Sequence, residues 1–131
     1  MAEAKRIERP LSPFMIGQYY RLQLTAVTSV LSRITGGSLM AAALFLIVWL
    51  LALASGPEAF ETVEWWLTSF IFDLFWLFML WAAWYHYLGG LRHLIFDAGM
   101  GLDIETAEKL GWISVYGSVV LTILTVIIIW L

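Results

Sequence analysis

Two stretches of this sequence contain no charged residue, 24 consecutive positions at residues 34–57 and 22 at residues 110–131. A helix rises about 1.5 Å per residue, so about 20 apolar residues cross the hydrocarbon layer of a bilayer. Each stretch is therefore long enough to form a transmembrane helix. With 62% hydrophobic and 13% charged residues, the chain is neither an ordinary soluble domain nor a disordered chain. The sequence predicts an all-α integral membrane protein.

A third apolar segment lies between these stretches, at residues 65–91, and is interrupted only by Asp73 and His86. If Asp73 and Arg92 bracket the hydrocarbon, the helix between them covers about 27 Å. We therefore expect a single membrane domain, residues 1–131, with three transmembrane helices. Its expected parts are a cytoplasmic approach segment at 1–28, spans at about 29–55, 65–97 (with an interfacial extension) and 110–131, and a cytoplasmic loop at 98–109. Asp103 in that loop is a candidate helix N-cap.

The positions of the basic residues predict the orientation in the membrane. All seven precede the first span or flank the connection between the second and third spans: Lys5, Arg6, Arg9, Arg21, Arg33, Arg92 and Lys109. The connection between the first and second spans carries only Glu58, Glu61 and Glu64, and we expect it to be a solvated loop. Because Lys and Arg accumulate in cytoplasmic segments, the amino terminus is expected to be cytoplasmic and the carboxyl terminus periplasmic.

The chain contains no cysteine. It therefore offers no disulfide, no thiolate zinc site and no cysteine ligand for an iron–sulfur cluster. Any inorganic or redox centre must use histidine, carboxylate or a cofactor. We expect the lipid membrane as a partner and no nucleic acid.

His86 is the clearest candidate for a functional residue, because an ionisable group inside a span is costly unless it is paired or solvated. At 100° per residue, Ala82, Gly90, His93 and Asp97 lie within about 40° of it on one helix face. Small residues on that face allow another helix or a flat cofactor to approach closely. His86 is consistent with an axial haem ligand, a proton relay, or a packed histidine bonded to a backbone carbonyl of a neighbouring helix.

The spacing of the two histidines limits how a haem is bound. His86 and His93 are seven residues apart, which is about 10.5 Å along one helix face. They cannot be the two opposite axial ligands of one iron, so a bis-histidine haem needs its second ligand from another chain. His93, nearer the basic side, is a candidate for bonding a haem propionate.

A second polar cluster lies where the first span begins. Ser29, Ser32, Arg33 and Gly36 fall within about 100° of arc on a helix. A cation with hydroxyl groups beside it suits an oxygen-rich, partly anionic small molecule that enters from the lipid. Alternatively, Arg33 marks the membrane boundary, extends to lipid phosphate and helps to set the topology.

Two strings of residues resemble the signatures of a known family. Residues 86–97, HYLGGLRHLIFD, and residues 9–11, RPL, followed by 29–36, SVLSRITG, are similar to the cytochrome b subunits of succinate dehydrogenase. These proteins are membrane anchors of respiratory complex II. The first string fits the family pattern of His, three residues, Gly, apolar, Arg, His, apolar, any, aromatic, Asp. The resemblance extends over the whole chain and includes three spans with a cytoplasmic amino terminus.

The resemblance implies roles for particular residues. His86 matches the axial ligand of haem b, whose other axial histidine comes from a second membrane anchor subunit. Ser29 and Arg33 match residues that line the ubiquinone pocket, where the serine hydroxyl bonds a quinone carbonyl and the arginine stabilises negative charge on the ring. His93 and Arg92 match positions near the haem propionates and the polar rim of the pocket.

The same resemblance has one departure and one further match. Asp97 closes the motif. Ser32 stands where the family usually has a histidine before its arginine, a residue that normally contacts a haem propionate. A shorter serine is able to reach a propionate through water.

The resemblance also implies the function and the partners. A flavoprotein subunit and an iron–sulfur subunit oxidise succinate on the cytoplasmic face and pass electrons to ubiquinone, which becomes ubiquinol with the uptake of two protons. The expected location is the bacterial cytoplasmic (inner) membrane. Two alternatives remain open: the anchor of a quinol:fumarate reductase, and a structural anchor without haem.

Overall fold

A computed structural model describes Phe14 and residues 20–131, and this part of the chain forms four helices. The helices are α1 (Leu24–Ser55), α2 (Pro57–Leu67), α3 (Phe70–Asp97) and α4 (Ile104–Trp130). Three of them, α1, α3 and α4, are long and apolar enough to cross a membrane. The expected all-α class with three candidate spans is therefore confirmed. The string at residues 9–11 lies outside the described residues.

The first helix is longer than a membrane crossing requires. α1 has 32 residues and begins at Leu24, five positions before the expected start of the first span. At about 1.5 Å per residue it is about 48 Å long, against about 30 Å of hydrocarbon. Its first turns, which include Thr28 and Ser29, therefore extend the helix beyond the amino-terminal end of the uncharged stretch at residues 34–57.

The connection after α1 was expected to be a solvated loop, and this expectation is wrong. Gly56, at φ 121°, turns the chain, and Pro57 then starts the 11-residue helix α2. Proline suits the first position of a helix, and Glu58 in the first turn interacts favourably with the helix dipole. The three glutamates are exposed, as expected. Phe60 packs on Trp49 of α1 with ring centroids 5.7 Å apart, so α2 folds back against the first span.

The interfacial extension expected at the start of the second span belongs to α2 instead. The chain leaves helical geometry at Thr68 and Ser69, whose hydroxyls donate to the carbonyls of Glu64 and Trp66 at 2.7 and 2.8 Å. Such local side-chain bonds compete with helical hydrogen bonding and favour a break. The indole of Trp76 donates to the carbonyl of Leu67 at 3.1 Å and joins the two helices across that break.

The polar loop expected at residues 98–109 is correct only in its first half. Gly99 and Gly101 adopt φ of 74° and 68°, which end α3 and turn the chain. Asp103 is the N-cap of α4, as predicted, because its carboxylate accepts a hydrogen bond from the amide of Thr106 at 2.9 Å. Residues 104–109 are helical, since a capped helix start extends the third span into the polar segment.

The three long helices pack against one another, and small residues make the close contacts. A Cβ on Gly117 of α4 would lie 3.0 Å from Leu88 of α3, and one on Gly111 would lie 3.2 Å from Leu24 of α1. Ser118 and Thr122 of α4 are buried. Their hydroxyls donate to carbonyls of their own helix. The helices therefore approach through glycines and through hydroxyl groups whose hydrogen bonds are already satisfied.

The cap on α4 yields a test of the fold. Asp103 accepts the backbone hydrogen bond of Thr106, and this lowers its pKa below the usual 3.8. A lowered pKa means that the cap stabilises α4 above pH 3.8 and is lost as the pH falls through the value in the folded chain. We expect the first turn of α4 to lose amide protection in that acidic range, measured as hydrogen-exchange protection factors in nanodiscs. Asp103→Asn, which caps without titrating, is expected to keep its protection there. Equal losses in both proteins would contradict this assignment.

Candidate functional site

The two polar clusters of the sequence meet where α3 crosses α1. Nδ1 of His86 lies 3.1 Å from the backbone carbonyl oxygen of Ser32 and 3.5 Å from the hydroxyl of Thr35. The imidazole lies against Gly36, where an added Cβ would be 2.9 Å from Cε1 of the ring. Only a residue without a side chain fits at position 36 while the ring holds this position. The contact joins residues 54 positions apart in sequence.

The hydrogen bond to Ser32 determines which nitrogen of His86 is free. A carbonyl oxygen only accepts, so we assign the proton to Nδ1, and the lone pair of the uncharged ring is then on Nε2. The carbonyl contact is the one expected of a packed histidine. His86 is nevertheless exposed on the surface of the described chain, whereas its neighbour Tyr85 is 1% exposed. The ring is thus oriented by α1 and accessible from outside.

The stripe around His86 is divided between the helix interface and an open face. Ala82 is fully buried in the interface. Gly90, His93 and Asp97 are exposed on the same side as His86 and continue along α3 toward its carboxyl end. This open face combines small residues with two imidazoles and a carboxylate. Within the described residues, no group of three or more histidine and carboxylate side chains is arranged to hold a metal ion by itself.

The polar cluster on α1 also contains Ser29 and Arg33. Ser29 is half-buried and Arg33 is exposed. In the part of the chain that the structure describes, neither side chain forms a hydrogen bond or an ion pair. A hydroxyl and a guanidinium one helical turn apart are therefore both available to a ligand.

Ser32 is held between the helices. Its hydroxyl donates to the carbonyl of Thr28 at 3.0 Å. It also lies 3.1 Å from where a Cβ on Gly89 would be, so the glycine allows α3 to pass close to α1 at this point. Both the hydroxyl and the carbonyl of Ser32 thus have partners within the chain.

Arg92 extends into the interface between α1 and α3. Its Nη1 donates to the hydroxyl of Thr28 at 2.7 Å, and its guanidinium carbon lies 4.9 Å from the ring centre of Phe96. Nε of Arg92 is buried without a hydrogen-bond partner among the described residues. The hydroxyl of Tyr85 donates to the carbonyl of Thr28 at 3.2 Å. Thr28 is therefore contacted twice from α3.

Thr28 and Tyr85 were not predicted as site residues. The available signal was the spacing of Thr28, Ser32 and Thr35, which places polar groups on one face of an otherwise apolar helix. Tyr85 directly precedes His86 and offers a hydroxyl that needs a partner when buried.

Three long apolar helices, with an accessible histidine fixed where two of them cross, define a multi-pass membrane protein with a candidate cofactor site. The family model for the succinate dehydrogenase/fumarate reductase transmembrane subunit matches residues 5–125. The chain belongs to this family.

Individual relatives agree with the family assignment. The chain is 45% identical over 128 residues to the succinate dehydrogenase cytochrome b556 subunit of Paracoccus denitrificans, which covers 98% of this chain and 97% of that protein. It is 38% identical over 112 residues to the cytochrome b560 subunit of Reclinomonas americana, covering 82% and 76%. A cytochrome b556 subunit of Rickettsia conorii is 32% identical over 117 residues, covering 89% and 90%.

Proposed function

We propose that this chain is the membrane anchor subunit of a succinate dehydrogenase, in which it binds haem b together with a second anchor subunit and helps to form the site of ubiquinone reduction. The observation that carries the proposal is the hydrogen bond between His86 and the carbonyl of Ser32. It joins the family signature on α3 to the one on α1, and it leaves Nε2 of an accessible imidazole free. The names of the relatives point to the same complex.

The residues around His86 fit a haem. A histidine that ligates a metal usually donates its other ring nitrogen to a carbonyl or carboxylate, which fixes the ring and raises its basicity. The carbonyl of Ser32 supplies that partner. Gly90, beside His86 on the exposed face, has no atom within 4 Å of an added Cβ, which leaves room for a flat group. When bound, haem b supplies a one-electron redox centre inside the membrane.

One chain supplies one axial ligand in this proposal. His93 is on the same face as His86 but about 10.5 Å further along the helix, too far to bind the opposite side of the same iron. A haem held by two histidines would therefore take its second histidine from a partner anchor subunit packed on the exposed face of α3. His93 and Arg92 are proposed for the propionate end of the pocket, with Ser32 beside them and Asp97 at its edge.

Ser29 and Arg33 are proposed to bind the quinone. The Ser29 hydroxyl donates a hydrogen bond to one carbonyl oxygen of the ring. The Arg33 guanidinium stabilises the negative charge that develops on that oxygen as electrons arrive, an effect that is large where water is excluded. Both side chains are free of partners within the described chain, so binding a quinone breaks no existing hydrogen bond there.

The remaining centres lie in other subunits. The chain contains no cysteine, so its partners hold the iron–sulfur clusters, and a flavoprotein subunit oxidises succinate. These partners are proposed to dock on the cytoplasmic face of the bacterial inner membrane, the side that carries the seven basic residues. The family also includes fumarate reductase subunits, and the succinate dehydrogenase names of the relatives favour succinate oxidation.

The proposed orientation is testable because the chain has no cysteine. Glu61→Cys, on exposed α2, is expected to react with a membrane-impermeant maleimide in intact spheroplasts. Glu108→Cys, at the start of α4, is expected to react only after the membrane is permeabilised. The measurement is the mass shift of the purified chain. Labelling with the opposite pattern would refute the cytoplasmic amino terminus.

Haem ligation is tested by moving the imidazole without removing it. In Gly36→Ala the new Cβ overlaps the His86 ring, whereas in Gly37→Ala it has no atom within 4 Å. We expect the reduced-minus-oxidised haem spectrum of the assembled complex to weaken or shift in Gly36→Ala and to stay unchanged in Gly37→Ala. His86→Ala should abolish or shift this spectrum. A normal spectrum in His86→Ala would rule out His86 as the haem ligand, whereas a complex without any haem spectrum before mutation would indicate a haem-free anchor.

The quinone site is tested by comparing two activities of one complex. We expect Arg33→Leu to lower succinate:quinone reductase activity about 100-fold, because it removes a fixed cation from developing charge. For Ser29→Ala we expect about 3- to 10-fold, the contribution of one neutral hydrogen bond. Succinate oxidation with an artificial acceptor should be almost unchanged in both. Arg21→Leu and Ser55→Ala serve as matched controls, and a parallel loss of both activities in the site variants would indicate an assembly role.

A further inference from the structure

We propose that Thr28, Tyr85 and Arg92 form a clamp that fixes the register of α1 against α3 and thereby positions Ser29 and Arg33 relative to His86. The three residues are called the Thr28 clamp below. The inference rests on the proposed function, because it assigns the distance between the quinone residues and the haem ligand to a particular set of contacts.

Thr28 is bound to α3 at two separate atoms. Tyr85 donates to its backbone carbonyl at 3.2 Å, and Arg92 donates to its hydroxyl at 2.7 Å. The hydroxyl also donates a hydrogen bond to the carbonyl of Thr25 at 3.1 Å, so it acts both as a donor and as an acceptor. Tyr85 and Arg92 are seven residues apart, about 10.5 Å along α3. Two bonds that reach the same residue from points this far apart oppose sliding of α1 along α3.

The clamp lies beside the residues it is proposed to position. Ser29 directly follows Thr28, and Arg33 lies five residues after Thr28 on the same helix. His86 directly follows Tyr85 on α3. Any shift of α1 along α3 therefore displaces the quinone residues relative to the haem ligand. A misplacement of about 1 Å is enough to slow a reaction by about 100-fold.

Apolar packing does not supply the same restraint. Away from this region the contacts between α1 and α3 are largely apolar, for example Phe45 with Phe72 and Phe75 at ring centroid distances of 5.2 and 5.3 Å. Such contacts are not directional and allow small displacements at little cost, whereas hydrogen bonds weaken steeply with distance and angle. At the end of the helix pair where the site lies, the Thr28 clamp adds two directional contacts to the hydrogen bond between His86 and Ser32.

The members of the clamp act through other residues. Tyr85 and Thr28 are each 1% exposed, so neither is open to a ligand from outside the helix pair. Arg92 directs Nη1 at Thr28 and lies against Phe96. Thr28 and Tyr85 are therefore positioning residues, and Arg92 positions α1 in addition to any contact with a propionate.

The test replaces the hydroxyl of Thr28 without changing the volume of the side chain. In the assembled complex, Thr28→Val removes the acceptor of Arg92, and Thr28→Ser keeps it. Thr122→Val is the matched control, because Thr122 is also buried and bonds only to the carbonyl of Ser118 in its own helix. We expect Thr28→Val to raise the KM for quinone about 10-fold, within the range for misplaced binding groups, with the artificial-acceptor kcat unchanged. Thr28→Ser should restore a normal KM.

A distance measurement separates failure of the clamp from failure of the proposed function. Spin labels are attached to genetically encoded keto amino acids at Leu44 of α1 and Leu74 of α3, both exposed and distant from the site. We expect Thr28→Val and Tyr85→Phe to shift or broaden the distance distribution relative to Thr122→Val. If both the KM and the distances match those of Thr122→Val, the clamp is refuted. If the distances change while the KM does not, the proposed coupling of the clamp to the site is refuted. An unaltered succinate:quinone reductase activity in Arg33→Leu would instead contradict the proposed function.

Discussion

The site depends on one hydrogen bond between a side chain of α3 and the backbone of α1, from His86 to the carbonyl of Ser32. In a regular helix that carbonyl accepts a backbone hydrogen bond, and its remaining acceptor capacity is shared by the Thr35 hydroxyl and the imidazole, each at 3.1 Å. The bond orients the ring, assigns its proton and requires a glycine at position 36. It also brings the two polar segments of the sequence into one place. By orienting His86, this contact makes the exposed face of α3 a candidate cofactor site.

The surroundings of the site follow from the need to satisfy polar groups inside an apolar medium. Hydroxyl groups along α1 and α4 donate hydrogen bonds to carbonyls three or four residues earlier, as those of Thr35 and Thr122 do. The helices then approach through these small side chains and through glycines. Arg92 is the exception, because its charge lies between helices and is balanced by a hydroxyl and the face of an aromatic ring. That exception lies beside the site.

Much of this arrangement could be predicted from the sequence. Two long uncharged runs and one apolar segment interrupted by Asp73 and His86 identify three spans, since charge in hydrocarbon is costly. Asp103 is recognisable as a cap because capping is a local interaction. Helix α2 was missed, because its three glutamates indicated a solvated loop and because the turn at Gly56 and the break at Thr68 depend on local backbone geometry. The inward direction of Arg92 was also missed. The direction of a long side chain depends on its partners on another helix, and sequence spacing does not contain them.

The hydroxyl bonds within α1 and α4 have a consequence for the order of assembly. A span whose polar side chains are bonded to its own backbone does not need a neighbouring helix to satisfy them. These two spans are therefore able to enter the bilayer separately and to associate with α3 afterwards. Helix α3 differs, because the hydrogen bonds of Tyr85, His86 and Arg92 form only when it meets α1. The pocket therefore exists only when α1 and α3 are associated, so an intact pocket indicates that these two helices are correctly paired.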